Sequence, residues 1–167
     1  MDTYKINIEG LDRELRKFPV NDKLDIAAFI MFGDIEMTEV AARELLKRVP
    51  EHDVVVTAEA KGIPLCYEMA RQGCRNYVVA RKSVKVYMGN PIGVTVNSIT
   101  TKNEQKLYLG EDDVNLLNGK RVLLVDDVIS TGESLHALET LVEKTAEGDA
   151  KDRDDIIFLS ELPLFFK

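Results

Sequence analysis

Apolar residues are distributed along the chain in a pattern that predicts short buried strands alternating with helices. The apolar segments of strand length are residues 53–57, 76–80, 122–125 and 156–159. Apolar residues at helical spacing lie before or between them, at residues 41–49, 63–70 and 135–142. Strands that alternate with helices form a mainly parallel sheet, flanked by helices, and such α/β sheets bind ligands at the carboxyl ends of their strands.

The segments outside this pattern are predicted to be accessory. Tyr4, Ile6 and Ile8 alternate with polar residues, so a half-exposed strand is expected to end at Gly10, within an N-terminal cap formed by residues 1–27. The first helix is expected to start at Thr38 as its N-cap and to end by Pro50. Residues 82–105, with two glycines, a proline and scattered lysines, predict a long flexible loop, and the acidic tract 147–155 predicts a solvated one.

Length and charge narrow the classes of function. The chain of 167 residues is expected to form a single domain, 1–167, and its 29 acidic against 22 basic residues give a net charge of −7. This charge argues against a surface that recognises nucleic acid through phosphates, and favours a small molecule or a second copy as partner. Cys66 and Cys74 are expected to be free thiols in a reducing cytosol. No apolar run reaches about 18 residues, so a soluble, cytoplasmic protein without a membrane partner is expected.

The residues that follow the strand at 122–125 carry the strongest chemical signal. Two adjacent carboxylates, Asp126 and Asp127, come directly after this strand, and the small residues 130–134 then lead into a helix. A strand-to-helix turn points backbone N–H groups and the positive end of the helix dipole at one spot, which suits a phosphate. Ionised carboxylates only accept hydrogen bonds, so they suit the hydroxyl groups of a sugar attached to that phosphate. The alternative is an ordinary helix cap beside two solvated aspartates.

Residues 122–134 resemble the phosphoribosyl pyrophosphate motif of the type I phosphoribosyltransferases. The resemblance implies the fold of that family, with a flexible hood loop at 82–105 over the site. It also implies that Asp126 and Asp127 hold the 2′- and 3′-hydroxyls of the ribose. The residues expected to wrap the 5′-phosphate are Ser130, Thr131, Gly132, Glu133 and Ser134.

A second turn resembles the adenine enzymes of this family. Glu59, Ala60, Lys61 and Gly62 follow the strand at 53–57 and are similar to the Glu-Ala-Arg-Gly turn that presents backbone amides to pyrophosphate. The resemblance implies a non-proline cis peptide, expected at Ala60–Lys61. Lysine stands where arginine is usual, which keeps the positive charge but loses the bidentate fork. An ordinary loop with a surface lysine is the alternative.

Three cations open the long loop. Arg81, Lys82 and Lys85 match the Arg-Lys-x-x-Lys segment that opens the hood in adenine and xanthine phosphoribosyltransferases. The resemblance implies that they neutralise pyrophosphate as the hood closes, either within one chain or across a homodimer. The alternative is a solvated turn.

The base-binding residues are also expected from the resemblance. Phe32 would stack on the base while Met31 and Gly33 offer main-chain groups, with a core position for Phe32 as the alternative. Leu162, in a segment similar to the Glu-Leu-Thr of the adenine enzymes, would cover the base. The usual glutamate–tyrosine pair of the adenine hood is missing, because residues 97–104 are more similar to the xanthine-type hood. Glu104 is a candidate substitute, and the general acid stays open.

These resemblances together predict that adenine and phosphoribosyl pyrophosphate react to form AMP and pyrophosphate. Mg²⁺ is expected to enter with the substrate, with Asp126 and Asp127 as candidate ligands, and the catalytic residues are expected to be these two aspartates with Lys61 and Arg81. No lysine lies between Asp152 and Leu162. A hydrogen-bond donor for the 6-oxo group of a purine is therefore lacking there, and adenine is favoured as the base. The alternatives are xanthine or hypoxanthine/guanine as the base, or a regulator that senses phosphoribosyl pyrophosphate without chemistry.

Overall fold

The computed structural model describes residues 2–22, 24–97, 104–129, 132–145 and 156–158. The strands within these ranges are β1 (Thr3–Ile8), β2 (Leu11–Asn21), β3 (Leu24–Ala27), β4 (Val54–Ala58), β5 (Tyr77–Ala80), β6 (Ile92–Asn97), β7 (Glu104–Leu109), β8 (Val122–Leu124) and β9 (Ile156–Phe158). The helices are α1 (Ile35–Leu46), α2 (Ile63–Gln72), α3 (Glu111–Leu117) and α4 (Glu133–Glu143).

The centre of the fold is a parallel sheet with strand order β5-β4-β8-β9. Val54 pairs with Val122 and Val56 with Leu124, so the two middle strands run side by side in the same direction. This confirms the predicted parallel α/β sheet and places the carboxyl ends of β4 and β8 next to each other. The predicted strand 156–159 is confirmed over residues 156–158, and Leu159 lies outside the described residues.

Each face of the sheet contributes to a different hydrophobic core, because successive side chains on a strand point to opposite faces. Val55 and Leu123 pack on one side with α1, α2 and the N-terminal strands. Val56 and Leu124 pack on the other side with α4, α3 and the β6–β7 hairpin. Both faces are covered, which explains why the strands read as continuous apolar runs rather than as an alternation.

The N-terminal cap is a three-stranded antiparallel sheet, of which the sequence analysis predicted only β1. β2 escaped prediction because most of its residues are polar and most of its described side chains are exposed. The cap is attached to α1 by Arg13, whose Nε and Nη2 donate to Asp34 at 2.6 and 2.9 Å.

The first helix begins earlier than predicted. Asp34 rather than Thr38 is the N-cap, and its carboxylate accepts a hydrogen bond from the Met37 N–H at 3.1 Å. Thr38 lies inside the first turn, where its hydroxyl donates to the Asp34 carbonyl at 2.7 Å. The helix ends at Leu46, one turn before Pro50.

The segment predicted as a flexible excursion over 82–105 contains regular structure. β6 and β7 form an antiparallel hairpin that extends to Leu109, and Val94 and Leu107 are buried against α4. The alternation around Val94 was a true strand signal, but its partner β7 is separated from it by residues 98–103, which lie outside the described residues. α3 follows directly and was not predicted.

Two smaller expectations concern thiols and membrane contact. Cys66 is buried and Cys74 is partly exposed, and both are free, as predicted. Burial raises the pKa of the Cys66 thiol well above its ordinary value. None of the helices in the described ranges combines the length and apolar character needed to span a membrane.

Candidate active site

The candidate site lies at the edge of the sheet where β4 and β8 end. The Val125 N–H donates to the Val56 carbonyl at 2.9 Å, so the two strands stay paired up to the point where their turns begin. The turn 59–62 leaves from β4, and Asp126 and Asp127 leave from β8. The two predicted motifs are therefore brought together by strand adjacency.

The two carboxylates differ in their surroundings. Asp127 is buried, and its Oδ2 lies 3.1 Å from Lys61 Nζ, an ion-pair distance. The same oxygen has no partner with hydrogen-bond geometry among the described residues, so the contact is electrostatic rather than a hydrogen bond. The Asp127 N–H donates to Asp126 Oδ1 at 2.9 Å. Burial, followed by the neighbouring Asp127 carboxyl, raises the pKa of Asp126 to about 7.

A cleft of about 280 Å³ opens beside this pair. Its walls come from the turn after β4, the start of the hood, β7, the turn after β8 and the start of α4. They are Ala58, Glu59, Ala60, Lys61, Lys82, Gln105, Leu107, Asp126, Asp127, Val128 and Ser134. The cleft thus combines cations, carboxylates and a helix N-terminus, a combination suited to a phosphorylated sugar.

The turn after β4 contains a cis peptide at Glu59–Ala60. The sequence analysis expected it at Ala60–Lys61, one bond later, and that position was wrong. Gly62 is the N-cap of α2, and a Cβ at this residue would collide with Thr57 Oγ1 and lie 3.5 Å from Asp126 Oδ1. Glycine therefore allows the turn to pass close to the carboxylate pair.

The hood cations do not all line the cleft. Arg81 is held away from it, because its Nε donates to Glu59 Oε2 at 2.9 Å and its Nη1 donates to Tyr87 Oη at 2.6 Å. Lys82 lines the cleft, and its backbone N–H donates to Glu59 Oε1 at 2.6 Å. Lys85 Nζ donates to Ser83 Oγ at 2.7 Å and is not a wall residue.

The predicted phosphate loop is described in part. Gly132 is the N-cap of α4 with a left-handed φ of 80°, and Glu133 and Ser134 form the first turn. Ser134 lines the cleft. Ser130 and Thr131 lie outside the described residues.

An apolar pocket of about 540 Å³ adjoins the cleft, and the sequence analysis missed it. Its walls are Ile26, Ala27, Ala28, Phe29, Ile30, Lys61 and Val128. Lys61 and Val128 line both cavities, so the pocket and the cleft meet at these two residues. The apolar run 26–32 could have indicated the pocket, because this run extends beyond the length that a strand of the small cap requires.

The predicted base-binding residues are placed elsewhere. Met31, Phe32 and Gly33 line a third pocket, of about 290 Å³, between α1 and α2. Met31 is buried in the core, and its carbonyl accepts the Asp34 N–H at 3.0 Å in a turn where Gly33 has a φ of 83°. The structure does not bring these residues to the carboxylates, because this turn directs them towards the helices. Leu162 lies outside the described residues.

Comparison with known proteins identifies the family. The model of the phosphoribosyl transferase domain matches residues 31–147, more than half of the chain. The chain belongs to the phosphoribosyltransferase family. The matched range includes the turn 59–62, the hood cations and the carboxylate pair, and it contains all the wall residues of the cleft.

Curated relatives agree with this family. The chain is 31% identical over 162 residues to the hypoxanthine/guanine phosphoribosyltransferase of Methanothermobacter thermautotrophicus, covering 92% of this chain and 79% of that protein. It is 32% identical over 142 residues to the protein of the same name from Methanococcus voltae, covering 80% of this chain and 72% of that protein.

Solved phosphoribosyltransferases share the fold. The adenine phosphoribosyltransferase of Thermoanaerobacter pseudethanolicus superposes with a TM-score of 0.67 at 23% identity, over 87% of this chain and 82% of that chain. The enzyme of the same name from Giardia lamblia gives a TM-score of 0.64 at 20% identity, over 86% and 78%. At such identities the likeness confirms the type I fold alone.

Proposed function

We propose that this phosphoribosyltransferase transfers a phosphoribosyl group to a 6-oxopurine, hypoxanthine or guanine, and releases pyrophosphate. The observation that carries the choice of base is the similarity to relatives with that name at more than 30% identity, one of them over 92% of the chain. The adenine preference expected from short motifs therefore becomes the second candidate.

The carboxylate pair supports binding of the ribose. Asp127 presents a buried oxygen that has no hydrogen-bond partner among the described residues, and Asp126 lines the same cleft. The ion pair with Lys61 offsets the charge of this oxygen but gives it no hydrogen bond, and a ribose hydroxyl would donate one. The two aspartates would hold the 2′- and 3′-hydroxyls and favour the positive charge that develops on the sugar when the anomeric bond breaks.

The cations of the cleft support binding of pyrophosphate. Lys61 and Lys82 place two cations in the cleft, beside the backbone of the turn 59–62 and the N-terminus of α4. Displacement at the anomeric carbon moves negative charge onto the leaving group, and these cations would stabilise it. Fixed charges of this kind act mainly on the transition state, because they are already oriented before the bond breaks.

Oxygen ligands for Mg²⁺ are present in the cleft. Mg²⁺ is commonly bound through one or two carboxylates together with substrate phosphates, so the ion would enter the cleft mainly on the substrate. Asp126 and Asp127 are the side chains that would complete its coordination, and the ion would offset charge on the pyrophosphate.

The apolar pocket supports binding of a planar base. It adjoins the ribose cleft, and Val128, directly after the carboxylates, belongs to both cavities. We assign the base to this pocket, with the segment 26–30 as its outer wall. Lys61 is the charged residue in its lining, and an ammonium can only donate hydrogen bonds, which suits a purine carbonyl better than an amino group.

Adenine remains the second candidate because of Leu162. A 6-oxopurine site needs a donor to the exocyclic oxygen, and the segment between Asp152 and Leu162 contains no lysine. Lys61 Nζ contacts Asp127 Oδ2 at 3.1 Å, and an ammonium engaged by this carboxylate is less able to donate to a purine carbonyl, which favours an amino group on the base.

The test is a panel of bases. Wild-type protein is incubated with Mg²⁺, phosphoribosyl pyrophosphate and hypoxanthine, guanine, xanthine or adenine in turn, and pyrophosphate release is measured. We expect hypoxanthine or guanine to exceed adenine by at least about tenfold in kcat/KM. Faster turnover with adenine would select the second candidate. Release with no base, for wild type and for Asp127→Asn alike, would reject the transfer reaction.

A homodimer is part of this proposal. The third pocket is bordered by exposed apolar side chains, among them Phe32 at 53% and Ile35 at 73% exposure, which suits contact with a second copy. Sedimentation equilibrium of wild type and Phe32→Ser would test it. A monomeric wild type at micromolar concentration would contradict it.

A further inference from the structure

Glu59 is an unexpected residue in a cleft for pyrophosphate. It lines the cavity together with Lys61 and Lys82. An ionised carboxylate cannot donate a hydrogen bond to a phosphate oxygen, and it repels that oxygen. The sequence analysis counted Glu59 among the pyrophosphate ligands, but its contacts point to another role.

Both oxygens of Glu59 are engaged by the start of the hood. Oε1 accepts the Lys82 backbone N–H at 2.6 Å, and Oε2 accepts Arg81 Nε at 2.9 Å. These contacts lower the pKa of the Glu59 carboxyl, the first cause being the Lys82 N–H, so the group stays ionised at neutral pH.

Arg81 is itself fixed on other sides. Its backbone exchanges two hydrogen bonds with Tyr108 of β7, at 2.9 and 2.8 Å. Its Nη1 donates to the hydroxyl of Tyr87 at 2.6 Å. Arg81 does not line the cleft, and its guanidinium is directed to Glu59 by the Nε–Oε2 hydrogen bond.

We infer that Glu59 and Arg81 form a positioning pair for substrate, in which Glu59 fixes Lys82 at the cleft and Arg81 neutralises the charge of Glu59. This inference rests on the proposed use of the cleft for phosphoribosyl pyrophosphate. Glu59 supplies an anchor between the turn after β4 and the start of the hood, and Lys82 delivers its ammonium to the ligand. Without Arg81, the Glu59 carboxylate would be an uncompensated negative charge in a site that binds an anionic ligand.

The pair makes a specific prediction about charge. Arg81→Gln leaves Glu59 ionised without its cation, and we expect the Kd of Mg²⁺–phosphoribosyl pyrophosphate to rise at least about tenfold. The double variant Glu59→Gln/Arg81→Gln removes that anion while keeping an amide oxygen for the Lys82 N–H. Its affinity should recover at least about threefold relative to Arg81→Gln, a sign of coupling that a direct Arg81–ligand contact would not give.

A second pair of variants tests the positioning of Lys82. Glu59→Ala removes the acceptor of the Lys82 N–H, and we expect about a tenfold loss of affinity. In a Lys82→Met background the same change should cost less than about threefold, because the ammonium that Glu59 positions is already absent. If Glu59→Ala fails to fold, the charge-rescue comparison above still decides the inference.

Calorimetric titration of each purified full-length variant with Mg²⁺–phosphoribosyl pyrophosphate gives these Kd values without any base present. Glu51→Gln is the matched control, because Glu51 contacts Arg121 at the same 2.9 Å on the opposite edge of the sheet, and its Kd should be unchanged. No recovery in the double variant, or full additivity with Lys82→Met, overturns the inference. A wild type that binds no phosphoribosyl pyrophosphate overturns the proposed function and the inference with it.

Discussion

Lys61 Nζ lies 3.1 Å from Asp127 Oδ2, although the two residues belong to turns that follow different strands. The Lys61 side chain is 52% exposed and that of Asp127 is 4% exposed, so the carboxylate is the buried partner. A buried charge needs a nearby counter-charge more than an exposed one does. Removal of Lys61 would leave Asp127 beside Asp126 without a cation in contact.

We therefore predict that Lys61→Met lowers kcat/KM for phosphoribosyl pyrophosphate at least about tenfold. Lys61→Arg should lose less, because the positive charge is kept. Steady-state pyrophosphate release measures both variants. Lys5→Met, at a lysine with an 82% exposed side chain on β1, serves as control and should match wild type. Equal rates for Lys61→Met and Lys5→Met would remove Lys61 from the site.

The carboxylate pair gives the second prediction. Asp127→Asn keeps the shape of the side chain but removes the charge that favours the ribosyl cation, so turnover should fall at least about tenfold, or about 1.4 kcal/mol of transition-state stabilisation. Asp126→Asn should behave similarly. Asp112→Asn, on the exposed side of α3, is the control. Unchanged rates in both site variants would be incompatible with the ribose assignment.

The start of the hood gives a third prediction. Lys82 and Lys85 are trypsin sites in a segment with exposed side chains, among them Val84 and Val86. Cleavage there should slow when Mg²⁺ and phosphoribosyl pyrophosphate are added, because bound ligand orders the backbone. Mass spectrometry of timed digests identifies the sites. Cleavage near Lys120 and Arg121, at the opposite edge of the sheet, should be unaffected, and equal protection at both edges would mean a global effect.

Asp34 gives a prediction about stability. Asp34→Asn keeps a side-chain cap but loses the ion pair with Arg13 and the negative charge at the N-terminus of α1, and we expect about 1–2 kcal/mol less free energy of unfolding at pH 7. Arg13 holds the pKa of Asp34 below its ordinary value of 3.8. A carboxyl whose pKa is lower in the folded than in the unfolded state stabilises the folded state at pH values above its unfolded pKa. That stabilisation is lost as the pH falls through the folded pKa.

The difference between wild type and Asp34→Asn should therefore be constant from pH 5 to 8 and shrink below about pH 4. Urea denaturation at several pH values measures it. Asp12→Asn, at a nearby exposed carboxylate that accepts from Asn7 Nδ2 at 2.6 Å, is the control. A pH-independent difference would show that the ion pair contributes nothing.

The sequence predicted those parts of the fold that depend on local pattern. The runs at 53–57 and 122–125 are long enough and apolar enough to identify buried strands, and the residues after them carry the motifs. The structure makes the two strands adjacent, and this pairing brings Lys61 to Asp127. β2, β7 and α3 could not be predicted, because their residues are mostly polar. Their regular structure depends on contacts with elements that are distant in the sequence, such as α4.

The errors within the site have physical causes. Arg81 follows β5, where a phosphate-binding cation is expected, but the Glu59 carboxylate at the end of the adjacent strand β4 binds its guanidinium, and only the three-dimensional arrangement reveals this contact. Phe32 matches a base-stacking position, but the Gly33 turn carries it to a different pocket. The apolar segment 26–30 has no charged residue to mark it, so its place beside Val128 depends on how the N-terminal sheet packs.

The apolar pocket and the cleft meet at Val128 and Lys61 but are otherwise lined by different residues. This division bears on how substrate specificity can evolve in such a protein. The wall formed by residues 26–30 begins in β3 of the N-terminal sheet and continues into the segment that follows it, whereas the turns proposed to hold the sugar and phosphate groups follow strands of the parallel sheet. Mutations in 26–30 can therefore remodel one cavity while leaving the transfer machinery intact. A lineage could exchange one nucleobase for another by drift in a single short stretch of chain.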